Sequence, residues 1–421
     1  MLPFQVYTGK EAVMGGSPSR VKVTGPLVPY VAGFRAELDS QGYRPNAMTD
    51  QLRLMAHVSR WLASKSLDLE QLTPERVEEF LVARRAAGYA LWCSLKGVAP
   101  LLAYLRRLGV VPLPERTGPT TPVEQLLEVY RCYLVEERGL AASTVRSNLH
   151  VARLFLATRP QVPTLGLGEL RAGDVVDFVR EECRGRSIGS ARYIVAGLRA
   201  FLRYCHLSGR TSRPLVDAVP KIASWQLAAL PRALEPAAVA ALLRSCDRRT
   251  SFGRRDFAAL LLLSRLGLRA GEVAALRLQD VEWRKGELVV RGKGSRHERL
   301  PLPRDVGEAI AGWLRRGRPR CAAREVFTRL RAPHRRLSPA GVSGIVYAAY
   351  RRAGMPEVSA HRLRHSAATE MLRAGAGLAE IAQVLRHRSV ATTAIYAKLD
   401  RSALQGLAKP WPLADGGSVT Q

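Results

Sequence analysis

Leu385-Arg-His-Arg-Ser-Val-Ala-Thr-Thr-Ala-Ile-Tyr396 sets His387 nine residues ahead of Tyr396. Alone, this tyrosine reads as an ordinary half-buried residue of a late helix. The sequence upstream changes that reading. There stand His361-Arg-Leu-Arg-His365, then Arg291-Gly-Lys-Gly294, then Gly267-Leu-Arg-Ala-Gly-Glu-Val273. In chain order these fragments supply Arg269, Lys293, His361, Arg364, His387 and Tyr396. Each fragment is weak by itself; the ordered set fits metal-free cleavage of a phosphodiester.

The chemistry explains the residue types. A pentavalent phosphorus transition state gathers negative charge on its non-bridging oxygens, and preorganised cations must meet it. Arginine offers a planar fork of donors that never loses its charge. Gly267 and Gly271 are expected to let the backbone turn tightly around Arg269, with its stem in the core and its head in a cleft. Arg364 follows His361 by three residues, so both fall on one helical face. A phenolate nucleophile keeps the bond energy in a phosphotyrosyl ester. Ionising a free phenol of pKa about 10 at pH 7 costs roughly 4 kcal/mol, which nearby arginines and a histidine offset. Lys293, at the tip of an expected hairpin, is placed to protonate the leaving oxygen.

Rival chemistries fit less well. His361 and His365 are four apart, but Arg362 stands where a metalloprotease helix has Glu, and three nearby arginines repel a cation. Carboxylates at magnesium-ligand spacing are lacking, since Glu272 alone cannot hold the ion. Around Gly292-Lys-Gly-Ser295 a phosphate loop would need Gly where Glu287 stands and Ser or Thr where Gly294 stands. Neither a cofactor nor a metal is expected. Tyr347 and Tyr350 are rival nucleophiles whose spacing fits core packing better.

Composition points the same way. The 421 residues hold 65 Lys plus Arg against 36 Asp plus Glu, a net charge of +29, with 47% apolar residues. A folded chain with that self-repulsion implies a polyanionic partner, nucleic acid ahead of a membrane surface, and double-stranded DNA is the partner expected once the arginine pairs are added. The pairs Arg84-Arg85, Arg106-Arg107, Arg254-Arg255, Arg315-Arg316, Arg335-Arg336 and Arg351-Arg352 suit a clamp on the phosphate backbone. The N-terminal Met1-Leu-Pro-Phe-Gln-Val lacks the features of a signal peptide. The longest apolar run, Phe257 to Leu263, is far short of the roughly 20 residues of a membrane span. A cytoplasmic, nucleoid-associated protein with no membrane contact is therefore expected. The six cysteines lie far apart and read as free thiols.

Helical patterning dominates. Thr73-Pro74 reads as an N-cap followed by proline at the first helical position, with Val77, Phe80 and Leu81 on one apolar stripe. Leu72-Thr-Pro-Glu-Arg-Val-Glu-Glu-Phe-Leu81 parallels Leu170-Arg-Ala-Gly-Asp-Val-Val-Asp-Phe-Val179. Ala103-Tyr-Leu105 parallels Ala200-Phe-Leu202, and Gly42 parallels Gly139, at a nearly constant offset. Two related helical domains, from a duplication, are expected at 27–110 and 122–208, after a loose arm at 1–26. A proline-bearing linker is expected at 209–233, a catalytic domain at 234–400 and a tail at 401–421. In the catalytic domain, Glu287 to Arg291 and Glu298 to Leu302 read as two strands among helices. The fold class is thus mainly α: two helical N-terminal DNA-binding domains plus a mixed α+β domain with a small β-hairpin.

These residues resemble the tyrosine recombinase (phage integrase) family, over about 235–400. The resemblance assigns Arg269, the hairpin Lys293, His361, Arg364, His387 and the nucleophile Tyr396 to the family's order, with Glu272 as an acidic brace. It implies a site-specific recombinase or transposon-type integrase acting through a 3′-phosphotyrosyl intermediate. It also implies a homo- or hetero-tetramer on two sites, with room for partner recombinases. By position and pattern, 122–208 resembles a core-binding domain. A type IB-like topoisomerase and a catalytically silent DNA-binding regulator share these features. In one respect the chain departs from the family. Arg386 stands where glycine is usual, and it either touches DNA or distorts the turn that aims His387.

Overall fold

The computed structural model describes residues 18–113, 118, 120–158, 167–222, 233–292 and 297–386. Lys293, His387 and Tyr396 lie outside the described residues, as do the tip of the hairpin and everything after Arg386. Compactness divides the chain into two units, Met1–Pro114 together with Leu227–Gln421, and Glu115–Gln226.

The first unit opens with four helices: α1 (Val31–Ser40), α2 (Pro45–Ser64), α3 (Pro74–Ala86) and α4 (Leu95–Arg107). Thr73 caps α3 by accepting the Arg76 N–H, and Pro74 fills the first helical position, where no N–H is needed. Val77, Phe80 and Leu81 point inward, against Leu52, Leu101 and Leu105. Gly42, at φ +77°, turns the chain between α1 and α2, and a Cβ there would collide with the His334 ring. His334 in turn donates its backbone N–H to the Gln41 carbonyl at 3.1 Å.

The second unit has its own core and a similar element order. Its helices are α5 (Pro122–Cys132, continued by a π turn to Glu137), α6 (Ala142–Ala157), α7 (Ala172–Cys183) and α8 (Ile188–Leu207). In both units a positive-φ glycine, Gly42 or Gly139, separates the first two helices. In both, a 3-10 turn, Leu69–Gln71 or Leu167–Glu169, precedes the third. The stretch expected as linker is partly structural. Leu215–Ala218 forms a 3-10 turn, and Leu215 and Val219 are buried in this core. Pro214 and Pro220 suggested a spacer, but the apolar residues between them found a surface to cover.

The rest of the first unit is built around α10 (Ser251–Arg265). Its stretch Ala258 to Leu263 is buried, so the helix is central, as an all-round apolar helix must be. Around it pack α9 (Pro236–Arg244), α11 (Ala270–Ala275), α12 (Arg304–Arg316), α13 (Pro339–Arg352) and α14 (His361–Arg373), and α15 (Leu378–Leu385) packs on α14 through Ala368, Ile381 and Leu385. Val342, Ile345, Val346 and Ala349 of α13 face inward. The sheet has three strands in the order β1 (Val281–Glu282), β2 (Glu287–Arg291) and β3 (His297–Pro301), all antiparallel. Its register pairs Val289 with Arg299 and Arg291 with His297. The two-residue β1 is too short to leave an alternating signal in the sequence.

Candidate active site

Arg269 sits between α10 and α11, as the N-cap residue of α11. Gly267, at φ +59°, makes the turn that brings it there, and a Cβ on Gly267 would meet Leu385 Cδ2 at 2.4 Å. Gly271 takes no part in that turn, contrary to expectation. It lies within α11 without a positive φ and with open space around it.

Glu272, at the third position of this helix, reaches back to its N-cap residue. Its Oε2 accepts the Arg269 backbone N–H at 2.9 Å, and its Oε1 accepts Arg269 Nη1 at 2.6 Å. Burial alone pushes the Glu272 carboxyl upward. The charge of Arg386, the Arg269 N–H and the Arg269 guanidinium outweigh it, and the net shift is downward. The carboxylate is therefore ionised and orients one edge of Arg269. Arg269 Nη2 donates to the Arg386 carbonyl at 3.4 Å, and the side chain as a whole stays 44% exposed, open to a ligand.

Arg364 is only 1% exposed. One terminal nitrogen donates to the Gly267 carbonyl and the other to the Leu385 carbonyl. This guanidinium therefore joins three segments: α14, the turn before Arg269, and the end of α15. His361, one turn earlier on α14, shares its face, as the three-residue spacing predicts. Its pKa is lowered by burial of the ring and by the charges of Arg364 and Arg269. Much of the residue nonetheless remains open to solvent.

A cavity of about 310 Å³ opens at this point, lined by Leu268, Arg269, Ala270, Ser343, Tyr347, Ser359, Ala360, His361 and Arg364. Three sequence-selected residues thus converge on one cavity, and Glu272 braces one of them, Arg269. Tyr347 corrects the reading that its spacing marks it as core. It is half-buried and lines the cavity from α13. Tyr350 does belong to the core. It is fully buried, and burial, partly opposed by the Arg362 charge, pushes its hydroxyl up to about 12.

Arg386 was the least legible residue. It does not reach outward to DNA. It is buried, in the left-handed conformation at φ +56°, and its Nη2 meets Glu272 Oε2 at 2.8 Å. Several of the arginine pairs read as a DNA clamp also spend charge internally. Arg84 donates to the Leu91 carbonyl, Arg85 pairs with Glu78, Arg255 and Arg352 with Asp256, and Arg351 with Glu357.

His365 packs edge-on against His361, with ring centroids 4.6 Å apart. Burial, then the His361, Arg364 and Arg362 charges, push its pKa down to about 4. The folded value lies below the unfolded one, so as pH falls below about 6.5 the unfolded chain takes up the proton first. Stability present above that pH is lost as pH falls toward about 4. Urea unfolding at pH 7 and pH 5 should show the wild-type chain weakening. His365→Gln should reduce that weakening by up to about 1 kcal/mol, discounted for partial solvent screening. Equal losses in both proteins would remove His365 from the account.

Comparison with known proteins gives the family. The pattern of the phage integrase family matches residues 232–402. A putative integrase/recombinase of Sinorhizobium fredii, y4rA, is 40% identical over 395 residues, 92% of this chain and 95% of that protein. The tyrosine recombinase XerA of Pyrococcus furiosus is 31% identical over 283 residues, 67% of this chain and 92% of its own length. In fold, the chain is similar to a lambda integrase dimer bound to a core site, with a TM-score of 0.52 and 16% identity over 69% of this chain and 97% of that one. It is likewise similar to XerH recombinase bound to a palindromic difH substrate, with a TM-score of 0.53 and 16% identity over 87% of this chain and 96% of that one. With relatives this similar over nearly their whole length, the chain belongs to the phage integrase family of tyrosine recombinases.

Proposed function

We propose that this protein is a site-specific DNA recombinase that cuts and rejoins duplex DNA through a covalent bond to Tyr396. The observation that carries the reading is the convergence of Arg269, His361 and Arg364 on one cavity, with Glu272 ionised behind Arg269. Such a cavity offers fixed cationic donors to a scissile phosphate. The Tyr396 oxygen attacks phosphorus and the bond to the 5′ oxygen breaks, leaving a 3′-phosphotyrosyl ester. Lys293 gives its proton to the departing 5′ oxygen, and His387 joins the donors around the phosphate. The 5′-hydroxyl of a partner strand then attacks the ester and releases the tyrosine. Two such exchanges on paired sites require four protomers, identical or from partner recombinases. In this reading the arm at 1–26, the helical domains at 27–110 and 122–208 and the linker at 209–233 deliver the catalytic domain, 234–400, to DNA. The net charge of +29 supplies the attraction. The protein works in the cytoplasm on the nucleoid.

The test begins by selecting a target from random-sequence duplexes on the full-length chain. Two copies of the selected site are then placed on a supercoiled plasmid. Exchange between the copies is the expected result. Relaxation of a one-site plasmid without exchange would mean a topoisomerase. Binding with no covalent adduct on a nicked duplex would mean a silent regulator.

A further inference from the structure

Helix α15 ends in a way that sequence preference does not favour. Its C-cap, Arg386, adopts φ +56° and ψ +50°, and its N–H reaches back to the Ala382 and Gln383 carbonyls. That left-handed position normally takes glycine, because a Cβ is strained there. This chain supplies glycine at comparable turns, as at Gly42, Gly354 and Gly375. Among the described residues only Ser66, Trp92 and Arg386 are non-glycine residues at positive φ. A residue retained against local preference is expected to gain something in tertiary contact.

The Arg386 side chain is 4% exposed and spans the gap between two elements. Nη2 meets Glu272 Oε2 at 2.8 Å, and Nη1 donates to the Val384 carbonyl at 2.7 Å. Glu272 thus lies between two guanidinium groups, with Arg269 on Oε1 and Arg386 on Oε2. The backbone of the same turn is held as well. The Leu385 carbonyl accepts from Arg364, and the Arg386 carbonyl from Arg269 Nη2 at 3.4 Å. The end of α15 is therefore tied to Arg364, to Arg269 and to Glu272, the carboxylate that Arg269 and Arg386 share. The next residue in the chain is His387, and Tyr396 follows nine residues later.

We propose that Arg386 is a positioning residue for strand cleavage. Its buried ion pair with Glu272 latches the end of α15 to the first turn of α11. The latch fixes Arg269 toward the phosphate and sets the point from which the chain departs toward His387. This inference rests on the recombinase reading above. It differs from a simple helix-stop role, in which glycine would serve as well or better.

The test uses the full-length chain and a nicked duplex of the selected target, which traps the covalent adduct. Wild type, Arg386→Gly, Arg386→Met and Arg386→Lys are compared for adduct rate at saturating DNA and for half-saturating DNA concentration. Arg386→Gly and Arg386→Met should slow adduct formation on the order of tenfold to a hundredfold, as a small misplacement of site groups does. The half-saturating concentration should move less than about threefold. Arg386→Lys, which keeps the charge, should recover part of the rate. A rate for Arg386→Gly at or above wild type would overturn the proposal. So would an Arg386→Lys no better than Arg386→Met at equal thermal stability. If the wild-type chain forms no adduct, the recombinase reading fails on its own. The latch is then judged by thermal unfolding of Arg386→Gly, Glu272→Gln and the double variant. A double-variant loss clearly below the sum of the singles supports it; additive losses overturn it.

Discussion

Arg364→Ala is expected both to weaken the fold and to stop strand cleavage. The side chain is 1% exposed, and its two terminal nitrogens donate to the Gly267 and Leu385 carbonyls. Alanine leaves those acceptors without their donor and opens a void where the guanidinium stood. Each buried unsatisfied group costs about 1–3 kcal/mol, so a total on the order of 3 kcal/mol or more is expected in denaturant unfolding. The loss should fall on the body containing α10, α14 and α15. Arg364→Lys separates charge from geometry. Its single ammonium cannot hold two carbonyls in different segments as the planar fork does. It should keep the fold better than alanine yet still lower the adduct rate on the order of a hundredfold, as loss of a preorganised donor does. Wild-type cleavage by the lysine variant would reduce Arg364 to a charge.

Tyr396→Phe carries the second large effect. On the proposed role, removing one oxygen removes the nucleophile and nothing else. Adduct formation on the nicked duplex should fall by at least about a thousandfold, as loss of a nucleophile does. DNA affinity should stay within about threefold, because backbone contacts by arginine and lysine supply most of it. Tyr347→Phe is the informative control, since Tyr347 lines the cavity beside Arg269, His361 and Arg364. Loss of the adduct with Tyr347→Phe, and its retention with Tyr396→Phe, would exchange the two assignments.

The gathering of Arg269, His361 and Arg364 on one cavity was legible because phosphoryl transfer restricts residue types and helical geometry restricts spacing, while Lys293, His387 and Tyr396 lie outside the described residues. His361 and Arg364 share a face since three residues make nearly one turn. Arg269 and Glu272 are linked by the same spacing, the carboxylate accepting from both the backbone and the guanidinium of Arg269. The helices were legible from stripes such as Val77, Phe80 and Leu81, and from caps such as Thr73. What escaped depends on contacts between distant segments. Arg386 reads in sequence as a DNA contact or a distortion of the turn before His387, and only the approach of α15 to α11 shows its partner, 114 positions away. Tyr347 lies on a helix whose larger apolar residues, Val342, Ile345, Val346 and Tyr350, are buried, so periodicity assigned it to the core. Leu215 and Val219 stand between prolines that signal a linker, yet they cover the second core.

The measurement that bears most directly on the central claim is peptide mapping of the trapped adduct. After nuclease and trypsin digestion, tandem mass spectrometry should find a 3′-phosphonucleotide on Tyr396, in the fragment running from Ser389 to Lys398. The same modification in the fragment from Leu337 to Arg351, which holds Tyr347 and Tyr350, would contradict the account, as would a cleaved strand with no modified tyrosine at all.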